Sequence, residues 1–336
     1  MHIASPLFVS LRRLRPSRSR PSCLPSSPVS TLGRLSFVSF VTLVSFVRPP
    51  SASAQPADAV GVRAQGMGGA FTAVADDATA TWWNAAGLAG GAYFSSVLEY
   101  GHLPNAGDAT DKTVKGVSIA FPALGLSYYR LPISEMRPAG STGQGAAIRQ
   151  DQGTLSELGV TVGQSLGNHF VVGSTLKVMS AGQTRAGLDL GGMVTFGMAR
   201  IGLSVRNLTE PTFGEGTDAL ALKRQARAGF ALSTGPRGVI GTGAVAVDAD
   251  LTTTVTTLGE QRRVAVGGEI WTTQRVLGLR GGVSRNLVGS EETSLSGGAS
   301  VAFRRQRSLT SYVDGQVTGG SEETPRSWSV GVRLTF

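Results

Sequence analysis

Few residues in this chain could do chemistry, and their spacing limits what that chemistry can be. Beyond the N-terminal region the histidines are His102 and His169, and neither stands at ligand spacing from another His, Cys or Glu. The sequence therefore predicts no metal site and no cofactor. Asp108 and Asp111 follow His102, which would serve acid–base catalysis only if the fold brought all three together. A solvated histidine at a strand end is the simpler reading, and we expect no enzyme. Asp76 and Asp77 suit the start of a helix better than a catalytic couple, because the helix dipole favours acids there. Gly66-Met67-Gly68-Gly69 lacks the lysine and the preceding strand that a phosphate loop needs. Apolar contact is the chemistry left. Trp82 and Trp83 either anchor a segment through an indole that is both greasy and a donor, or line a cavity that holds a hydrophobic ligand by area burial. The candidate ligand contacts are Met67, Phe71, Trp82, Trp83, Asn84 and Leu88.

The elements that must position these residues begin after a leader. Residues 1–54 carry seven arginines and no acid, residues 35–47 are apolar, and Ala52-Ser53-Ala54 has the small-x-small pattern of a cleavage site. We expect a signal peptide there. Its apolar stretch is too short to span a bilayer as a helix. The formal charge of +9 lies mostly in this leader, so the rest offers no basic footprint for nucleic acid. Cys23 is the sole cysteine and falls in the leader, which leaves no disulfide in the exported chain.

Residues 55–91 read as two short helices joined by a tight turn, with Gly87 as a C-terminal cap. They form either an arm packed on the remainder of the chain or a plug. From residue 92 the pattern becomes period-2 alternation broken by turn residues. Fourteen segments can be placed, at 92–100, 113–121, 124–131, 154–166, 169–179, 187–198, 200–208, 223–233, 238–248, 262–271, 275–285, 293–303, 308–317 and 327–336. The last puts Trp328, Val330, Val332, Leu334 and Phe336 on one face and Ser329, Gly331, Arg333 and Thr335 on the other. Charged residues are 16% of the chain and glycines number 46, fewer and more, respectively, than in ordinary soluble domains. No run of 18 apolar residues occurs after residue 54, so entry into a membrane requires a closed barrel. The fold class expected is all-β: a transmembrane antiparallel barrel of about fourteen strands over 92–336. Arg200, Arg263, Glu269, Arg280 and Arg333 would point inward, because charge on the lipid face is costly. The strand glycines, among them Gly191, Gly192, Gly267, Gly268, Gly281 and Gly282, would permit bending and close approach of a plug. The longest loop, at 132–153, is the natural extracellular candidate.

The run Arg63-Ala64-Gln65-Gly66-Met67-Gly68-Gly69-Ala70-Phe71-Thr72-Ala73-Val74-Ala75-Asp76-Asp77, continuing to Trp83-Asn84-Ala85-Ala86-Gly87-Leu88, resembles the N-terminal signature of FadL-type outer-membrane proteins. That superfamily includes long-chain fatty-acid and aromatic-hydrocarbon transporters and the PorV-like proteins of type IX secretion. The resemblance implies a fourteen-strand barrel, a hatch over 55–91 that plugs it, and a terminal phenylalanine. It also implies passive movement of small hydrophobic molecules across the outer membrane of a Gram-negative-type bacterium after signal-peptide export. The alternative is a PorV-like structural or shuttle component of a secretion system. The implied partners are outer-membrane lipid, a hydrophobic small molecule, the barrel-assembly machinery acting on the Phe336 terminus, and possible secretion clients. Family members carry Asn-Pro-Ala where this chain has Asn84-Ala85-Ala86, which removes a fixed φ and frees an N–H.

Overall fold

The computed structural model describes residues 58–336 apart from 104–111, 137–149, 215–219, 237–239, 257–258, 290–291, 307 and 321–325. The expected leader lies outside the described residues, as does the centre of the 132–153 loop. Alternation of greasy and polar side chains makes strands of nearly everything after residue 94. In chain order these are β1 (Ser95–Leu103), β2 (Lys112–Phe121), β3 (Leu124–Met136), β4 (Gln150–Leu166), β5 (Phe170–Ala181), β6 (Gln183–Phe196) and β7 (Ala199–Arg206). A small hairpin comes next, β8 (Thr212–Phe213) with β9 (Leu220–Ala221), and then β10 (Gln225–Thr234) and β11 (Ile240–Asp250). A second small hairpin joins β12 (Thr254–Thr256) to β13 (Gly259–Gln261). The chain ends in β14 (Arg263–Thr272), β15 (Leu277–Asn286), β16 (Thr293–Gln306), β17 (Leu309–Gly320) and β18 (Ser327–Thr335).

The fourteen strands outside the two hairpins form one closed antiparallel barrel. Closure comes from β1 against β18, running from Ser95↔Thr335 to His102↔Trp328, so no edge is left unpaired. Along β18, Trp328, Val330 and Val332 face outward and are 41–46% exposed, while Ser329 and Arg333 are buried in the interior. The same split repeats around the wall: Leu98, Val117, Leu158, Leu176, Ile201, Phe230, Val266 and Leu279 stand exposed. A continuous apolar exterior of this kind is stable only in hydrocarbon. No helix among the described residues is long and apolar enough to cross a membrane; the strands do the crossing.

Aromatics ring both ends of this belt. Tyr93 packs edge-on against Phe336 at 5.8 Å and Phe94 tilts on Phe121 at 5.4 Å at the short-turn end. At the other end Tyr100 meets Trp328 at 5.9 Å. The two histidines belong to these rings: His102 stacks on Trp328 and His169 on Phe196. Three expectations need correction. The residues at 180–186 are not a loop, because a left-handed Gly182 turns β5 directly into β6. The 132–153 connection is shorter than the pattern suggested, since β3 continues to Met136 and β4 begins at Gln150. The N-terminal segment forms three very short helical pieces, not two helices: Val62–Gly66, Ala80–Trp83 and a 3₁₀ turn Ala85–Gly90. Gly87 lies inside the last of these instead of capping it. A Cβ there would overlap the Ala75 carbonyl, so close chain approach is what demands glycine.

Candidate functional site

Helical pieces of four to six residues cannot hold themselves together in isolation. The wall holds them. The helix Val62–Gly66 has no side-chain cap of its own. Glu99 of β1 instead accepts the backbone N–H of Gly61 at 2.8 Å and of Val62 at 3.2 Å, satisfying donors that a helix start leaves free. Across the lumen Asp248 of β11 does the same for Phe71 and Thr72, at 3.0 and 2.8 Å. Each wall carboxylate thus fixes two backbone donors of one luminal chain.

Arg63 is the central ion-pair partner. Its guanidinium donates from Nε to Glu269 of β14 at 2.9 Å, lies 3.2 Å from Asp77, and also pairs with Asp76. Burial works against the charge, but Asp76 and Glu269 outweigh it and hold Arg63 protonated well above its ordinary range. The cap reading gives way to an ion pair for Asp76, while Asp77 combines the two roles at the start of the turn leading into Ala80–Trp83. Both neutralise Arg63, and Asp77 also accepts from the N–H and hydroxyl of Thr79. Farther up, Asp58 takes Arg206 at 2.7 Å and Arg227 at 2.6 Å. Desolvation would raise the Asp58 carboxyl; Arg227 and Arg206 prevail and hold it well below the usual carboxylate range. A third cluster lies in the wall itself, where Lys177, 1% exposed, meets Asp189 at 3.0 Å and Glu157 at 3.4 Å.

Steric fit accompanies the charges. Three register pairs of glycines face inward: Gly173↔Gly191, Gly202↔Gly229 and Gly267↔Gly282. A Cβ at Gly267 or Gly282 would overlap the Met67 carbonyl, one at Gly173 or Gly191 the Asn84–Ala86 backbone, and one at Gly202 the Thr72 carbonyl. The chain therefore lies directly on the sheet backbone at three places. Of the adjacent glycines flagged from the sequence, only the inward member of each doublet makes this contact. A Cβ added at Gly192 or Gly281 would meet no part of the segment.

All six candidate contact residues are buried at 3% exposure or less, yet they do not share one cavity. Phe71 packs edge-on against Trp83 at 6.1 Å, and Trp83 donates its indole N–H to the Val60 carbonyl at 3.0 Å. Trp82 points elsewhere, edge-on to Tyr129 at 5.6 Å and beneath the Arg206 guanidinium at 3.9 Å. Met67 sits over its glycine pair, and Leu88 lies against Gly125 of β3. Asn84 acts as a brace: it donates to the carbonyls of Thr72 and Gly192 at 2.9 and 3.2 Å and accepts from the Ala86 N–H at 3.1 Å. Its side chain starts the 3₁₀ turn at Ala85, so the position tolerates alanine where proline would preset φ.

Of the six, Trp83 lines a cavity. The space, of about 160 Å³, opens above Trp83 and is lined also by Asp58, Gln65, Leu103, Arg227, Asp248, Arg263 and Ala265. Leu103, Arg227 and Arg263 end or begin strands at the end of the barrel bearing the long connections, which places this cavity there. The anchoring residues Asp58, Glu99, Asp248, Arg206 and Arg227 were missed at the sequence level. For the four on strands the one signal was an isolated charge at an inward position of a greasy strand, the signal that did place Glu269, Arg280 and Arg333 correctly; Asp58 lies ahead of the first strand and carried no such signal. Among the described residues no group of three or more His, Cys, Asp or Glu could hold a metal ion.

A closed barrel with a greasy exterior, a polar interior and a chain segment seated within that interior defines a plugged transmembrane β-barrel. The chain shares its fold with the FadL-type channels. It is similar to the CymD monoaromatic hydrocarbon channel (TM-score 0.52, 11% identity, covering 83% of this chain and 98% of that one). It is likewise similar to a Pseudomonas aeruginosa FadL homologue (TM-score 0.54, 10% identity, 85% and 99% coverage). No protein-family model matches the sequence, and no curated protein does.

Proposed function

We propose that this protein is an outer-membrane channel for small hydrophobic molecules, and that residues 58–91 act as the hatch that closes it. The observation that carries this reading is the way the segment is held. It sits in the lumen, held by hydrogen bonds, ion pairs, apolar and aromatic packing and backbone contacts on glycine, and among the described residues it has no strand of its own joined to the sheet. Such a segment can shift without opening the barrel. The cavity above Trp83 is about the volume that holds a single aromatic ring, and the indole supplies a face for one. Its rim of Asp58, Arg227 and Arg263 admits a ligand with a polar edge. Transport is passive, by capture beside Trp83 and displacement of the hatch. No observation among the described residues favours the shuttle alternative.

Flux of a fluorescent single-ring probe into liposomes tests the reading, comparing the mature chain with a form lacking residues 55–91. We expect slow, saturable entry with the hatch and fast, unsaturable entry without it. Equal and negligible entry for both would end the channel proposal.

A further inference from the structure

The outer wall carries a feature that a channel does not need. Lys115 of β2 and Arg130 of β3 are direct register partners, and both stand exposed on the lipid-facing side. Like charges directly opposite one another on adjacent strands destabilise a sheet, and a cation on the lipid face is tolerated only near the headgroups. Among the described residues neither has a carboxylate partner. The contact that is present is aromatic: the Lys115 ammonium lies 6.0 Å from the Tyr100 ring, and Tyr100 is its register neighbour on β1.

Directly below this pair the wall forms a groove of about 540 Å³, lined by Leu98, Tyr100, Val117, Tyr128, Val330 and Val332. These residues are themselves successive register partners across β18, β1, β2 and β3, so the groove is continuous. The long connections lie beyond the cation end, and in barrels of this kind long loops face outside. Two cations at the edge of the outward-facing belt, above a greasy trough, match a molecule with a phosphate at one end and an acyl chain at the other.

We propose that this groove is a specific site for an anionic phospholipid, its phosphate bridging Lys115 and Arg130 and one acyl chain lying over Val117 and Val332. The bridging anion turns a repulsive cross-strand pair into a favourable one.

Native mass spectrometry of the full mature barrel, released from detergent after equilibration with lipid, reads the site directly. The probes are phosphatidylglycerol, phosphatidylcholine with the same chains, and glycerol phosphate without chains. We expect one phosphatidylglycerol to be retained at least about tenfold better than phosphatidylcholine, and glycerol phosphate not at all. Lys115→Gln/Arg130→Gln should abolish that preference while Arg326→Gln, an exposed cation elsewhere, keeps it; heat-modifiable gel migration confirms that each variant is folded. Should the double variant not fold, Val117→Trp fills the trough with both cations intact and should lower retention about as far. Equal retention of the two lipids, or a preference that survives the charge or trough variants, would overturn the site. Retention of glycerol phosphate would reduce it to a surface phosphate contact and overturn the lipid claim. None of these readouts depends on transport.

Discussion

The two faces of the same strands are built on different rules. The outer face asks only that each side chain be greasy, because hydrocarbon fits any shape. The inner face is specific: Glu99 meets Gly61 and Val62, Asp248 meets Phe71 and Thr72, and Glu269 meets Arg63, which lies 206 residues away in sequence. The contrast teaches where damage concentrates. Exchanging one apolar residue for another on the outside, as in Val160→Leu, should change neither barrel nor segment. Arg63→Ala should have the largest effect of any single change considered. It leaves Glu269 and Asp77 as buried carboxylates without their partner, which costs about 3–5 kcal/mol. Protease protection and hydrogen exchange over 61–88 should fall sharply while heat-modifiable migration persists. Unaltered protection would mean that the charges do not hold the segment.

A sharper form of the comparison uses two neighbouring glycines. Gly281 and Gly282 differ only in which side of β15 they face. A Cβ at Gly282 would run into Met67 and the Gly68 nitrogen, whereas one at Gly281 would meet only the Ser296 carbonyl, at an ordinary contact distance of 3.7 Å. Gly282→Ala forces a methyl into backbone and should weaken docking of the segment by about 1–3 kcal/mol. Gly281→Ala should be silent. Chemical shifts or exchange protection near Met67 distinguish the two, and equal effects would remove the steric argument for glycine-paired seating.

This asymmetry also explains how much was legible beforehand. Period-2 alternation specifies the outer face locally, so the strand number and the inward direction of Glu269, Arg280 and Arg333 could be read from a few residues at a time. The N-terminal segment could be read as something other than strand for the same reason. Its internal geometry could not, because the wall imposes it: Asp76 and Asp77 read only as a helix cap until Arg63 and Glu269 come together. Trp82 and Trp83 look equivalent in sequence and point to different surroundings, one under Arg206 and the other toward a cavity. That outcome is set by which strands curl behind them. The tight turn at Gly182 was missed because the polar run around it resembles a loop when no partner strand is in view.

The smallest expected effect tests the electrostatic half of the contrast by pH. Asp58 lies between Arg206 and Arg227, and its folded carboxyl is held below its ordinary value. A group with a depressed folded value binds its proton more readily once released. Its contribution is therefore fully present above the unfolded value of about 4 and fades as the pH falls from there toward the folded value. Because the pair is only partly shielded from the cavity, that contribution is of order 1 kcal/mol. Asp58→Asn should thus loosen the first turn of the segment to the same modest degree at every pH from 8 to 5. The gap between wild type and variant should close only below about pH 4. If the gap instead closed between pH 7 and 5, a histidine or a group with a raised value would be holding this end, and Asp58 would be a bystander.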